Sequence, residues 1–290
     1  MSLAPFILIG CGGSGVLSVR HVRDEVKARL RVHGIDKIPD AWQFIGIDAT
    51  PVQADLTEAS PLPPLDYLQM KPGASTLDEL DKMLQAAHPP AMRRGYVELV
   101  GWRPNPKEIP QNIEIGLTNH AVGRVVGTVA LQASQIRRRL EAALTSAEAS
   151  GPELNTVARR MGLPIGGLGV MAPNVLVVTS MAGGCGSGIS IDVVDLLKHL
   201  GGNGIQPILI AYGTDIFDHS QQYMTSNNLA YMAELLNAVW SENGGRAGLF
   251  PAPFGLPSRR GPRATFVLGR KNLDGVDLQG SRNVYRSVGI

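Results

Sequence analysis

A doubly wound α/β fold, a mostly parallel sheet with helices on both faces, is what this sequence predicts. Short β-rich apolar runs alternate with amphipathic stretches of helical period along most of the chain. Two of the strand-to-helix junctions carry glycine-rich loops, Gly10-Cys11-Gly12-Gly13-Ser14-Gly15 and Ala182-Gly183-Gly184-Cys185-Gly186-Ser187-Gly188. No internal repeat of fixed period competes with this reading.

The elements follow in order. Phe6 to Ile9 reads as a strand, and Val16, Val19, Val22, Val26 and Leu30 recur near helical spacing after the first glycine loop. Phe44 to Ile47 is a second strand ending at Asp48, and strand, helix, strand in this order implies a right-handed parallel crossover. Proline punctuates residues 60–111, where Thr76 and Glu79 make a capping box for a helix expected from Thr76 to Ala87. Ile113 to Gly116 leads into the loop 117–123, and one long helix is expected from Arg124 to Ala149. Gly151 to Pro173, rich in Gly and Pro, reads as an excursion without a core element. Asn174 to Ser180 is a strand, the second glycine loop follows it, and a helix is expected over Ile189 to Leu200. Pro207 to Tyr212 is the next strand, and Ser226 to Trp240 a helix capped by Ser226 or Asn227. Ser241 to Arg263 is again rich in Gly, Pro and Arg; Ala264 to Gly269 is the last strand, and Asn283 to Val288 opens a helix. The expected organisation is one domain over residues 1–290 with insertions near 58–112, 150–173 and 241–263.

Composition excludes several classes. At 290 residues the chain can bury a full core. Aromatics are 5% and no basic patch interleaves with them, so no nucleic-acid partner is expected. Arg137-Arg138-Arg139 reads as a solvated helix end. No apolar run approaches the roughly 18 residues of a membrane span, and no signal-peptide pattern opens the chain. Only Cys11 and Cys185 are present, both inside glycine loops, which is no disulfide framework; a cytoplasmic location is expected.

The loops carry the chemistry. Glycine lets backbone N–H groups approach a ligand closely, and a helix starting just beyond adds unsatisfied donors and a partial positive charge. Strand, glycine loop and helix together form an anion cradle, and two of them suggest one nucleotide gripped from two sides. The plain alternative is a pair of tight strand-to-helix turns. Gly10, Gly12 and Gly15 also satisfy the dinucleotide pattern, whose acidic residue lies about 20 residues further on; Asp48 lies 33 positions beyond Gly15. Neither loop is followed by the Lys-Ser or Lys-Thr of the lysine-bearing phosphate loop.

Gly183 to Gly188, after a Val-rich strand ending in Thr-Ser, resembles the tubulin/FtsZ signature loop GGGTGSG, with Cys185 in place of Thr and Ala182 in place of the preceding glycine. The order of other segments agrees from Phe6 to about Asn272. Ile9 to Gly15 looks like the first phosphate-side loop, and Ile45 to Ala49 like the strand end that reads Asn-Thr-Asp-Ala. Gly116 to Arg124, ending Val122-Gly123-Arg124, looks like the γ-phosphate loop before a long helix. It carries Thr118-Asn119-His120 where the family has Gly-Ala-Gly. Phe217-Asp218 resembles the Phe-Glu whose acid holds the ribose, and Phe266 to Asn272 the strand end whose Asn reads guanine. The opening residues and long insertions look most like the bacterial tubulin-like proteins of large multi-domain chains.

The resemblance implies a GTP- or GDP-binding domain with Mg²⁺. Gly10, Cys11, Gly12, Gly13, Ser14 and Gly15 would meet the phosphates together with Ala182, Gly183, Gly184, Cys185, Gly186, Ser187 and Gly188, with Ser14 and Ser187 adding hydroxyl donors. Asn119, His120 and Gly123 would lie by the γ-phosphate. Asp48 would hold Mg²⁺ through water, or else form an Asx-turn before Pro51. Asp218 would bind ribose or be a solvated loop acid; Asn272 would read guanine or sit in a turn before Gly275. Hydrolysis in this superfamily needs an acidic loop inserted by a neighbouring subunit, and these residues offer no candidate for it. The expected activity is therefore a slow GTPase, or one dependent on self-association, on a partner, or on a further C-terminal domain, with its catalytic residue unassigned. A dinucleotide-binding NAD(P) oxidoreductase domain and a nucleotide-free scaffold of the same fold are the alternatives.

Overall fold

The computed structural model describes residues 2–54, 56–71, 73–80, 82, 107, 110, 112–132, 134–166, 171–217, 222–240, 261–271, 274–278 and 280–287. Six strands, β1 (Phe6–Cys11), β2 (Trp42–Asp48), β3 (Tyr67–Gln69), β4 (Asn174–Ser180), β5 (Ile208–Tyr212) and β6 (Ala264–Leu268), form one sheet of order β3-β2-β1-β4-β5-β6. Every neighbouring pair is parallel. The chain winds outward from β1 to β2 and β3, then returns to the other side of β1 through β4. The topological switch point of the sheet thus lies between β1 and β4, where open α/β sheets leave a crevice for ligands.

Besides the helix that begins after Thr76, the helices bounded within the described residues are α1 (Gly12–Val32), α2 (Ile113–Gly116), α3 (His120–Gln132), α4 (Ser134–Ala149), α5 (Gly151–Arg160), α6 (Gly184–Gly201), α7 (Gln222–Trp240) and α8 (Ser281–Ser287). They cover both faces, and the strands alternate between them. Ile7, Ile9, Ile45, Ile47, Val175 and Val177 face one core with Val122, Val126, Ile189 and Val193 of α3 and α6, and with Tyr231 of α7. Leu8, Phe44, Val178 and Tyr212 face the other, with Val16, Leu17 and Val19 of α1 and Tyr285 of α8. Arg20, buried on α1, donates to the carbonyls of Ala54, Ala59 and Ser60 and so ties the segment after β2 to the first helix.

The structure departs from the expected elements at several places. Helices α1 and α6 begin at Gly12 and Gly184, inside the glycine runs and not after them; close packing of these first turns outweighs the low helix propensity of glycine. The helix expected from Arg124 to Ala149 starts earlier, at His120, where the Asn119 side chain accepts the Ala121 N–H; α3 and α4 cover its length on either side of residue 133, which lies outside the described residues. The excursion expected over Gly151 to Pro173 contains α5, with Pro152 in its first turn, Glu153 beside it and Arg159 and Arg160 at its end. Leu154, Val157 and Ala158 bury its inner face. Finally, β3 is a three-residue edge strand inside the proline-punctuated segment, paired through Gly46 and Tyr67. The capping box at Thr76 is present: Glu79 accepts the N–H groups of Ser75 and Thr76, and Thr76 Oγ1 accepts that of Glu79. The far end of that helix lies outside the described residues. Among the described residues no helix is long and apolar enough to cross a membrane.

Candidate nucleotide site

Both glycine loops lie at the C-terminal ends of the two strands that flank the switch point, β1 and β4. Their backbones touch. Gly12 has φ +73°, and a Cβ on it would come within 2.8 Å of Gly186 Cα; a Cβ on Gly186 would overlap the Cys11 carbonyl oxygen. The segment before α3 and the start of α3 close in from the other side: Cβ atoms on Gly184 and Gly188 would strike the backbones of Thr118 and Arg124 respectively. Most glycines of the two runs are thus required by protein packing against protein.

Two are not. Gly13 and Gly183 are the exposed members of their runs. A Cβ on Gly13 would meet only Asp48 Oδ2, at 3.9 Å, and one on Gly183 nothing within 4 Å. Neither has a positive φ. Both border a cavity of about 170 Å³ that is also walled by Thr118, Cys185 and Tyr223. Helices α1 and α6 start at this cavity with no side-chain cap and no acidic residue in the first turn. Among the described residues no side chain caps their leading N–H groups and dipole ends, which is the arrangement an anion completes. A second cavity, about 270 Å³, shares Gly13 and Ser14 with the first and continues past Asp48, Tyr67 and Tyr285.

Asp48, 8% exposed, ends β2 beside these cavities. Its Oδ1 accepts the Ala49 N–H at 2.8 Å and the Cys185 thiol at 3.3 Å, and its Oδ2 the Thr50 hydroxyl at 3.2 Å. Burial pushes its carboxyl above the ordinary range, against the pull of those three donors. The Ala49 contact reaches the N–H of the next residue, and Thr50, two residues on, is met through its hydroxyl, so the bond of an Asx-turn is not among these contacts. Among the described residues no three His, Cys, Asp or Glu side chains converge.

The hydroxyls point elsewhere. Ser14 Oγ is 2.9 Å from Tyr285 Oη, and Ser187 Oγ, fully buried, is 2.9 Å from His120 Nδ1. His120 itself is 3% exposed, with Nε2 3.0 Å from Glu234 Oε1; its ring faces the interior and not the cavity. Arg124 pairs with Glu234 at 2.7 Å and lies 3.6 Å from Asp192, so the second glycine loop rests on a buried ionic cluster. Burial pushes the Glu234 carboxyl up, but His120 and Arg124 outweigh it and hold it below the ordinary range. Asn119 spends its Oδ1 capping α3. Asp218 and Asn272 lie outside the described residues. Asp215, near Asp218 in sequence, joins the ends of β5 and β6 by accepting the Arg270 N–H at 2.8 Å.

Both cysteines differ from what helix N-termini suggest. Cys11 is fully buried in the core beneath its loop, and burial, then the Asp48 charge, pushes its thiol far up. Cys185 is raised by the same two causes. Desolvation wins over the helix dipole at both sites.

Sequence reasoning missed two residues of α7. Tyr223 walls the smaller cavity. Asn227, one turn later and 2% exposed, is no cap: its Nδ2 donates to the Thr118 and Ala182 carbonyls, and its Oδ1 accepts the His120 N–H. A polar residue four positions before the inward-facing Tyr231 was the available signal.

A fold of this kind is shared with CetZ from Methanosaeta thermophila, whose solved structure superposes with a TM-score of 0.50 at 14% identity, over 99% of this chain and 52% of that one. The chain therefore spans about half the length of that protein. No curated protein sequence matches it. The tubulin-like family model, by contrast, matches residues 7–289, and the chain belongs to that family.

Proposed function

We propose that this domain binds a guanine nucleotide, GTP or GDP, with its phosphates between the two glycine loops. The observation that carries the reading is the pair Gly13 and Gly183: protein packing does not require either to be glycine, and both border one cavity at two uncapped helix starts. A side chain at either position would fill the space a phosphate oxygen needs. The phosphates would be held by backbone N–H groups of the first turns of α1 and α6, and the nucleoside would extend into the larger adjoining cavity past Tyr285. Ser14, Ser187 and His120 would act behind the site, fixing the loops, because their polar atoms are already engaged within the protein.

Asp48 fits Mg²⁺ held through water. A bound Mg²⁺ would neutralise phosphate charge there. Asp218 and Asn272 remain the proposed contacts to ribose and guanine. Residues 1–290 would act as one nucleotide-binding domain. Hydrolysis would be slow in this chain alone, with the water-positioning acid supplied by self-association, a partner or a further domain. The dinucleotide oxidoreductase reading loses its support to the family membership.

Mass spectrometry of small molecules released from natively purified protein tests this reading. GDP or GTP at near-stoichiometric amounts is the expected result. NAD(P), or a nucleotide-free protein that takes up neither guanine nucleotide on incubation, would overturn it.

A further inference from the structure

Asn227 joins three chain segments, its own helix α7, residues 118–120 and the second glycine loop. Its Nδ2 donates to Thr118 O at 2.7 Å and Ala182 O at 2.8 Å, and its Oδ1 accepts the His120 N–H at 2.8 Å. Thr118 belongs to the segment that walls the cavity from the α3 side, and Ala182 precedes Gly183 in the second glycine loop. With both amide hydrogens and one lone pair engaged, and 2% of the residue exposed, the side chain has no freedom to rotate. Tyr223, one turn earlier on α7, reaches the cavity wall itself.

We infer that Asn227 is a positioning residue: it presets the mouth of the phosphate cavity by clamping the 117–119 segment against the second glycine loop, and so makes α7 the element that fixes the cavity's shape. The inference rests on the nucleotide reading for its consequence, but the clamp itself does not. Neither carbonyl can satisfy the other. Without the amide the two carbonyls lose the donor they share, and the N–H groups around Gly183 lose their common aim.

Asn227→Asp is the informative substitution, because it keeps shape and the acceptor for His120 while turning a double donor into an oxygen facing two carbonyls. An acid placed there is driven to protonate, so at low pH it regains one donor and at high pH it repels both carbonyls. Asn227→Ser, which keeps a single donor, is the companion should the first variant fail to fold. His120 and Arg124 from α3, Asp192 from α6 and Glu234 from α7 are the charged or titratable groups of the adjoining cluster. They are the same in both proteins, so variant-to-wild-type ratios cancel them.

The experiment is hydrogen exchange on the nucleotide-free proteins at acidic and mildly alkaline pH, followed by titration with GTP, GDP and pyrophosphate. In Asn227→Asp, amides around 118–120 and 182–186 should exchange about tenfold faster than wild type at alkaline pH and recover most of that protection at acidic pH. Amides of β1 and β5 should be unchanged. Affinity for guanine nucleotide should fall about tenfold or more at alkaline pH, with Asn227→Ser between the two. Wild-type exchange in both loops at both pH values, or acceleration spread evenly over the molecule, would overturn the clamp. Wild-type protein that binds none of the three ligands would overturn the nucleotide reading instead, and exchange alone would still decide the clamp.

Discussion

Gly12 and Gly186 lie backbone to backbone: a Cβ on the first would approach the Cα of the second to 2.8 Å, and one on Gly186 would overlap the Cys11 carbonyl. The two glycine loops are therefore a packing contact before they are a binding site. This separates glycines that hold the fold from glycines that leave room for a ligand. Gly186→Val should destabilise the protein by about 3 kcal/mol or more, as overpacking against backbone does. Gly183→Val, with open space around it, should cost about 1 kcal/mol through the weaker helix start. Thermal melting of the two variants checks the contrast, and equal losses would refute it.

Glu234 binds the buried ends of His120 and Arg124. Glu234→Gln leaves Arg124 with Asp192 as its remaining close carboxylate among the described residues and should cost about 3 kcal/mol. The Glu234 carboxyl is held below its ordinary range, so its contribution is present above that range and disappears as pH falls through the folded value. Wild-type stability should drop steeply on acidification, and in Glu234→Gln that acid limb should be shallower. Melting temperatures from neutral pH to about pH 3 measure the difference.

Asp48 has the opposite sign. Burial raises its carboxyl, so the ionised form opposes folding above the ordinary range and the opposition fades as pH falls through the raised value. Asp48→Asn should therefore raise neutral-pH stability of the nucleotide-free protein by about 0.5–1 kcal/mol, while weakening the dependence of nucleotide binding on Mg²⁺. Gains in stability and losses in Mg²⁺ response should appear together; either one alone would contradict the assignment.

The thiols supply an independent probe. Both are pushed up by burial and by Asp48, so small alkylating agents should modify them slowly at neutral pH, Cys11 slowest. In Asp48→Asn the Cys185 thiol loses the nearby charge and faces only a neutral amide acceptor, and it should react several-fold faster. Peptide mass spectrometry after timed alkylation reads the rates. Fast modification of Cys11 in the folded protein would mean that its burial is misplaced.

The sheet apart from its edge strand β3 was legible because its strands are short, β-branched and set between glycine or proline, as Asn174 to Ser180 illustrates. The family was legible from one loop, Gly183 to Gly188, read with the order of its neighbours. Glycine composition misled in two ways. It suggested a structureless excursion where Pro152, Glu153 and Arg160 in fact mark both ends of α5. It also suggested that every glycine of the loops met ligand, because a sequence cannot distinguish backbone approached by a ligand from backbone approached by backbone. His120 and Asn227 were misjudged for a related reason: their partners Glu234, Ser187, Thr118 and Ala182 are brought to them by tertiary packing alone.

The most direct test of the central claim is calorimetric titration of wild type and Gly183→Val with GTP, GDP, ATP and NAD in Mg²⁺. Wild type should bind GTP and GDP in preference to the other two. Gly183→Val, with a melting temperature close to wild type, should lose guanine-nucleotide binding by about a hundredfold. A folded Gly183→Val protein that binds GTP as wild type does, or a wild type that binds NAD and no guanine nucleotide, would contradict the account.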